Sequence, residues 1–174
     1  VDSDLIVPVP DSGVPAAIGY AGEVKQNIEL GIIRNHYVGR TFIEPTQQIR
    51  SLGVKLKHSI NKTLIKNKSL ILIDDSLVRG TTSVKIIKML YESGAKEVHL
   101  RIASPPIKYP DYYGINTPTK DELLASKLNL EEMRKFINAT TLQFLSIDGL
   151  YKSMGYEKRN TLYPQFTDHC FTGD

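Results

Sequence analysis

Residues 70–83 read Leu-Ile-Leu-Ile-Asp-Asp-Ser-Leu-Val-Arg-Gly-Thr-Thr-Ser. The apolar run fits a buried strand, and Asp74, Asp75 and Ser76 stand at its exit. Arg79, Gly80, Thr81, Thr82 and Ser83 then lead into a helical pattern. A helix N-terminus offers unpaired N–H groups and the positive end of the macrodipole. Gly80 lets the backbone approach a ligand closely, and the three hydroxyls add donors, so the string suits a phosphate. Two carboxylates nearby would repel that phosphate. They suit sugar hydroxyls, a divalent cation, or both. In the plainer reading the acids end a strand and Thr82 or Ser83 caps a helix, which leaves the co-occurrence of all these residues unexplained. A nucleotide-hydrolase loop needs G-x-x-x-x-G-K-[ST] and a dinucleotide site needs G-x-G-x-x-G; the sequence contains neither.

The elements around this string read as α/β. Leu5 to Pro10 is a short buried strand closed by the turn Asp11-Ser12-Gly13, with a helix from Val14 to about Gln26. A second strand is expected over Ile28–Ile33. Residues 34–60, punctuated by Gly39, Pro45 and Gly53, read as a long loop with a short helix near 46–51 and a strand near 54–60; such loops tend to be functional. A helix from about Thr82 to Ser93 ends at Gly94, placed for a left-handed residue. Glu97–Ala103 is a further strand. Thr119 with Glu122 predicts a capping box for a helix to about Ser126, and Asn129 caps another to Asn138. Thr141–Leu145 is the last strand, followed by a short helix to Ser153 and an extended tail. The repeated β-α-β order implies a mainly parallel sheet with helices on both faces, whose ligands sit at the carboxyl ends of the strands.

The chain has 174 residues, one domain's worth, with 41% hydrophobic and 24% charged side chains, close to a soluble globular average. Its net charge of +3 suits an anionic ligand and is too small to argue for nucleic acid. The basic stretch Lys55, Lys57, His58, Lys62, Lys66 and Lys68 lacks interleaved aromatics. No apolar run reaches the roughly 18 residues of a membrane span. The single cysteine, Cys170, excludes an internal disulfide, and a cytoplasmic setting is expected. The four histidines show no metal-ligand spacing, and His99 reads as a structural residue of its strand. The opening Val1 suggests a cut through a longer protein.

The 73–83 string resembles the phosphoribosyl-pyrophosphate (PRPP) motif of type I phosphoribosyltransferases. With VPVPDSG near the start, RNHYVGRTFIEPTQQIR at 34–50, SPPIKYPDYYGI at 104–115 and DELLAS at 121–126, the chain resembles the amidophosphoribosyltransferase family over nearly its whole length. The resemblance implies a type I phosphoribosyltransferase fold with a long flexible loop over about 35–53. It implies domain limits of 1–153, with 154–174 as a C-terminal tail. It implies that PRPP and ammonia become 5-phosphoribosylamine and pyrophosphate, the first step of de novo purine synthesis. Asp74 and Asp75 match the acids that hold the ribose hydroxyls and take part in Mg²⁺ binding. Asp11, Ser12 and Gly13 match the pyrophosphate loop, Ser12 being the hydroxyl metal ligand; Arg79–Ser83 match the 5′-phosphate loop, and Ser76 is a further expected PRPP-binding residue. Lys57 matches a basic residue facing the pyrophosphate, and Tyr37 and Arg40 lie in the first part of the closing loop, Arg40 being expected to stabilise the leaving group with Lys57.

The chain departs from the family in two ways. A glutaminase half with a terminal cysteine nucleophile is not seen in this sequence, so free ammonia or a separate glutaminase is the expected nitrogen source. Some members hold an iron–sulfur cluster through cysteines. Here Asp111, Thr167 and Cys170 stand at the corresponding positions, and one sulfur cannot hold a four-iron cluster. Cys170 is then a remnant, and the tail should be looser than in cluster-bearing members. The resemblance further implies purine nucleotide inhibitors such as AMP and GMP, and a homo-oligomer, with neither nucleic acid nor membrane as partner. The competing reading is a non-catalytic PRPP- or nucleotide-binding regulator, or an inactive split subunit, with the same fold.

Overall fold

The computed structural model describes residues 1–35, 58–112 and 119–174. Its sheet is built from β1 (Leu5–Pro8), β4 (Ser69–Asp74), β5 (Glu97–Ile102) and β6 (Thr141–Phe144), side by side in the order β1-β4-β5-β6 and all parallel. The apolar run of β4 lies between β1 and β5, and its side chains alternate between two cores. Ile71 and Ile73 join Ile6 against Ala17 and Ala21 of α1 (Val14–Val24). Leu70 and Leu72 join Leu100 and Leu142 against Ile86, Ile87 and Leu90 of α3 (Thr81–Glu92) and Met133 and Ile137 of α5 (Leu130–Ile137). Burial on both faces is why β4 is continuously apolar. Each buried Leu or Ile contributes about 1.5–3 kcal/mol. The expected parallel sheet with helices on both faces is what forms.

A second, antiparallel pair joins β2 (Ile32–Arg34) to β3 (His58–Ile60), with Arg34 opposite His58. The expected strand over 28–33 is thus broken. Ile28 makes only an isolated bridge to Ile6, and the chain turns at Gly31, whose N–H bonds Glu29 O at 2.9 Å. Gly31 is pressed so closely on Val7 and Ile65 that a Cβ there would lie 2.7 Å from Ile65 Cδ1. Of the strand expected over 54–60, His58–Ile60 is described; the helix expected at 46–51 lies outside the described residues.

Asn129 caps α5 as expected, and with Glu132 it forms a complete capping box; Ser146 caps α6 (Ile147–Ser153). Gly94 adopts φ 91°, the left-handed turn expected after α3. The capping box expected at Thr119 does not form. Lys120–Glu122 is a 3₁₀ turn with no side-chain cap, and a separate helix α4 (Leu124–Lys127) follows. Glu122 bonds Arg79 instead of reaching back to Thr119, and Leu124 N donates to Val78 O at 2.9 Å, which diverts the backbone.

Residues 155–168 carry no regular element, but the tail is not loose. Asp168 is only 5% exposed. It accepts from Arg159 Nε at 2.6 Å and from the buried Tyr151 hydroxyl at 2.9 Å. The next residues form α7 (His169–Thr172), and the Cys170 carbonyl accepts the N–H groups of Lys108 and Tyr109. One polar network therefore ties the chain end to α6, and backbone bonds tie it to the loop after β5.

Candidate ligand-binding crevice

The site lies where β1 and β4 end side by side. After β1 the chain makes the turn 9–13. Val9 N donates to Ile73 O at 2.8 Å, and Gly13 N donates to Val9 O at 2.9 Å. A Cβ on Gly13 would stand 2.4 Å from Ile73 O and 2.9 Å from Val9 O. Only glycine lets this turn lie flat against the end of β4. Asp11 and Ser12 are exposed at its tip. Asp11 is ion-paired to Arg34 at the end of β2.

After β4 the two acids diverge. Asp74 is buried (7% exposed) and Asp75 is exposed. Burial pushes the Asp74 carboxyl well above the usual range, and the neighbouring Asp75 charge pushes the same way. Their backbone is held by local bonds, Asp75 N to Asp74 Oδ1 at 2.9 Å and Ser76 N to Asp75 Oδ1 at 2.8 Å. The chain then enters α3 through Gly80, at φ 75°.

No side chain caps α3. Neither Thr82 nor Ser83 plays the capping role of the plainer reading, so the first-turn N–H groups are left for another acceptor. Thr81 is exposed, Thr82 partly so, and Ser83 is buried. Leu124 and Phe136 wall the approach; a Cβ on Gly80 would meet Leu124 Cδ2 at 2.9 Å and Phe136 Cε1 at 3.1 Å. Arg79 is exposed and bonds Glu122 at 2.7 Å.

The structure therefore brings Asp11, Ser12 and Gly13 beside Asp74, Asp75 and Ser76, with Arg79–Ser83 following. Tyr37, Arg40 and Lys57 lie outside the described residues. Arg34 was not singled out from the sequence, and Glu122 was expected only as half of a capping box; their partners are 23 and 43 residues away, beyond any local spacing rule. His99 is structural, as expected: it is buried, with Nδ1 3.0 Å from Thr141 Oγ1 and Nε2 3.3 Å from Ser69 Oγ. Cys170 is partly buried. Burial, and then the Asp111 charge, push its thiol pKa up, and its carbonyl accepts from Lys108 and Tyr109 N–H in the loop that leads to Asp111. Among the described residues no group of three or more His, Cys, Asp or Glu side chains could hold a metal, and no helix is long and apolar enough to cross a membrane.

A turn and an acidic loop side by side at the carboxyl edge, leading into an uncapped helix, define a type I phosphoribosyltransferase fold. Solved structures agree. Glutamine PRPP amidotransferase from Bacillus subtilis, complexed with ADP and GMP, superposes over 100% of this chain and 38% of its own, with TM-score 0.86 and 48% identity. An allosteric regulatory enzyme of purine biosynthesis matches with TM-score 0.82 and 46% identity, over 37% of its own chain. Amidophosphoribosyltransferase of Rhizobium etli is 62% identical over 100% of this chain, and a chloroplastic one of Arabidopsis thaliana is 51% identical. The chain spans about a third of their length, 35% and 30%. No family model matches it. The chain matches the C-terminal part of these amidophosphoribosyltransferases.

Proposed function

We propose that this chain binds PRPP and transfers its phosphoribosyl group to ammonia, giving 5-phosphoribosylamine and pyrophosphate. The single observation that carries the reading is the juxtaposition of the glycine-closed turn 9–13 with Asp74, Asp75 and the uncapped start of α3. The α3 N–H groups with Thr81 and Thr82 would take the 5′-phosphate. Asp74 and Asp75 would accept from the ribose hydroxyls, and the 9–13 turn would face the diphosphate. The reacting carbon develops oxocarbenium character as the diphosphate leaves. Catalysis is then chiefly stabilisation of the leaving group's charge, a role for Arg40 and Lys57, with Tyr37 as a further candidate. Ammonia is itself nucleophilic and needs no strong base.

The donor set fits a Mg²⁺ ion that arrives with the diphosphate. Asp75 and Ser12 offer exposed hard oxygens, Asp74 stands adjacent, and the ligand and water would complete the shell. Bound there, the ion would neutralise charge on the departing diphosphate.

The same reading carries the rest of the assignment. Residues 1–153 form the transferase unit and 154–174 its tail. Cys170 anchors the tail through its carbonyl and holds no cluster. AMP or GMP occupies the phosphate loop as inhibitor, by analogy with the B. subtilis enzyme's complex with ADP and GMP. The protein works in the cytoplasm as a homo-oligomer, with a glutaminase partner supplying ammonia.

Incubation with PRPP, Mg²⁺ and ammonia, with glutamine in place of ammonia as the control, tests the proposal. Pyrophosphate release with ammonia alone is the expected result. Tight PRPP binding without turnover would replace the transferase reading with the regulator or split-subunit reading.

A further inference from the structure

Arg34 closes β2 and reaches back across the chain to the tip of the first turn. Its Nη1 pairs with Asp11. Its Nε is shut off from solvent and has no hydrogen-bond acceptor among the described residues. The side chain as a whole is 28% exposed and that of Asp11 is 56% exposed. Arginine carries five donors in a planar fork, matched to two oxygens at once. Here that fork is half used, on a carboxylate in water, where an ion pair is weak. Arg79, the cation of the neighbouring loop, is likewise held by a carboxylate, Glu122. Each of these cations thus waits beside the crevice on an acidic partner of its own.

Asp11 also poses an electrostatic problem. It is an anion at the tip of a turn that, on the reading above, receives an anionic ligand. Arg34 screens it. A diphosphate offers more charge than Asp11 and pairs of oxygens that accept bidentate donation.

We propose that Arg34 is a diphosphate-binding residue, kept at the rim of the 9–13 turn by Asp11 and transferred to the ligand when a diphosphate occupies that turn. The inference rests on the crevice binding PRPP and adds to it the residue that selects the diphosphate end. As the side chain leaves Asp11, Nε and Nη2, whose N–H groups point the same way, become the two donors of one fork. No bond is made or broken in this exchange; an ion pair with a carboxylate is replaced by one with a phosphate.

Calorimetric titration of the chain with PRPP, pyrophosphate and ribose 5-phosphate, each with Mg²⁺, tests the exchange. Arg34→Ala should weaken PRPP and pyrophosphate by about tenfold or more, the loss of a charge-assisted pair. Ribose 5-phosphate should change by less than about twofold, and Arg34→Lys should restore part of the loss. Asp11→Asn removes the same ion pair yet keeps the arginine, so its diphosphate affinity should stay well above that of Arg34→Ala. A purely structural ion pair would give equal losses in Arg34→Ala and Asp11→Asn, or equal losses for all three ligands; either overturns the proposal. Unchanged PRPP binding in Arg34→Ala overturns it alone. A parent chain that binds neither PRPP nor pyrophosphate overturns the crevice reading itself, and this inference with it.

Discussion

The carbonyl oxygen of Ile73 lies 2.4 Å from where a Cβ on Gly13 would stand. That contact joins the end of β4 to the turn after β1. It sets the spacing between the exposed tip at Asp11 and Ser12 and the acids at 74 and 75. A carbonyl on the middle of a sheet cannot step aside as a side-chain tip can, so the site's geometry depends on an absent methyl group.

Gly13→Ala should therefore damage both fold and binding. Overpacking against backbone costs about 1–3 kcal/mol. For a chain of this size each kcal/mol lowers Tm by about 2–4 °C. Thermal unfolding gives the first number, and PRPP titration should show the larger loss. A variant with parental Tm and parental PRPP affinity would contradict the close approach.

Replacing both acids, Asp74→Asn with Asp75→Asn, should leave the fold intact and weaken Mg·PRPP by about tenfold or more, as expected when acceptors for hydroxyls and a cation are lost. Asparagine keeps the Oδ1 acceptors that hold the 75 and 76 N–H groups. It also removes like charges from a pair of which one member is buried. Tm should not fall. Binding equal to the parent's would refute the site assignment.

The tail depends on a different pair. Arg159 and Asp168 are 9% and 5% exposed. Removing one member of a buried pair strands the other, at a cost of about 3 kcal/mol. Arg159→Ala should lower Tm accordingly and increase proteolysis within 154–174. The pH dependence has a definite sign. Burial alone would raise the Asp168 carboxyl, but hydrogen bonds from Arg159 and Tyr151 outweigh it and hold the group below 3.8. A depressed carboxylate stabilises the fold above its unfolded value and loses that contribution as pH falls through the folded one. Parent and Arg159→Ala should therefore converge in stability as pH drops below about 4.

Asn129→Ala tests the capping box that forms on α5. It removes the acceptor for Glu132 N, at 3.0 Å, and should cost about 1 kcal/mol. Tm should drop by about 2–4 °C, with PRPP affinity unchanged, since the cap lies at the start of α5.

Much of the site could be read from local order. The apolar run 70–73, the acids after it and the glycine before α3 are contiguous, and contiguous residues at a strand end must share one edge of the sheet. The juxtaposition with residues 9–13 followed from the rule that such sheets bind at their carboxyl ends. The failures were all long-range. Thr119 and Glu122 have the spacing of a capping box, but Arg79 competes for the carboxylate from 43 residues away. Ile28–Ile33 is apolar enough for one strand, but Gly31 is bent into the space between Val7 and Ile65. The tail has no periodicity, yet Arg159, Asp168 and Tyr151 bury together.

The sequence by itself determined the parallel α/β plan, because the continuous apolar run of β4 and the period-3.6 burial in α3 are properties of neighbours along the chain. It also determined that carboxylates, hydroxyls and a helix start share the crevice, because those residues arrive in one string. Tertiary structure alone decided which cations sit on which acids, that Asp74 is buried and Asp75 is not, and that the chain end is fastened down. Ion pairing and desolvation depend on distances in space, and no spacing along the chain encodes a distance between Arg34 and Asp11.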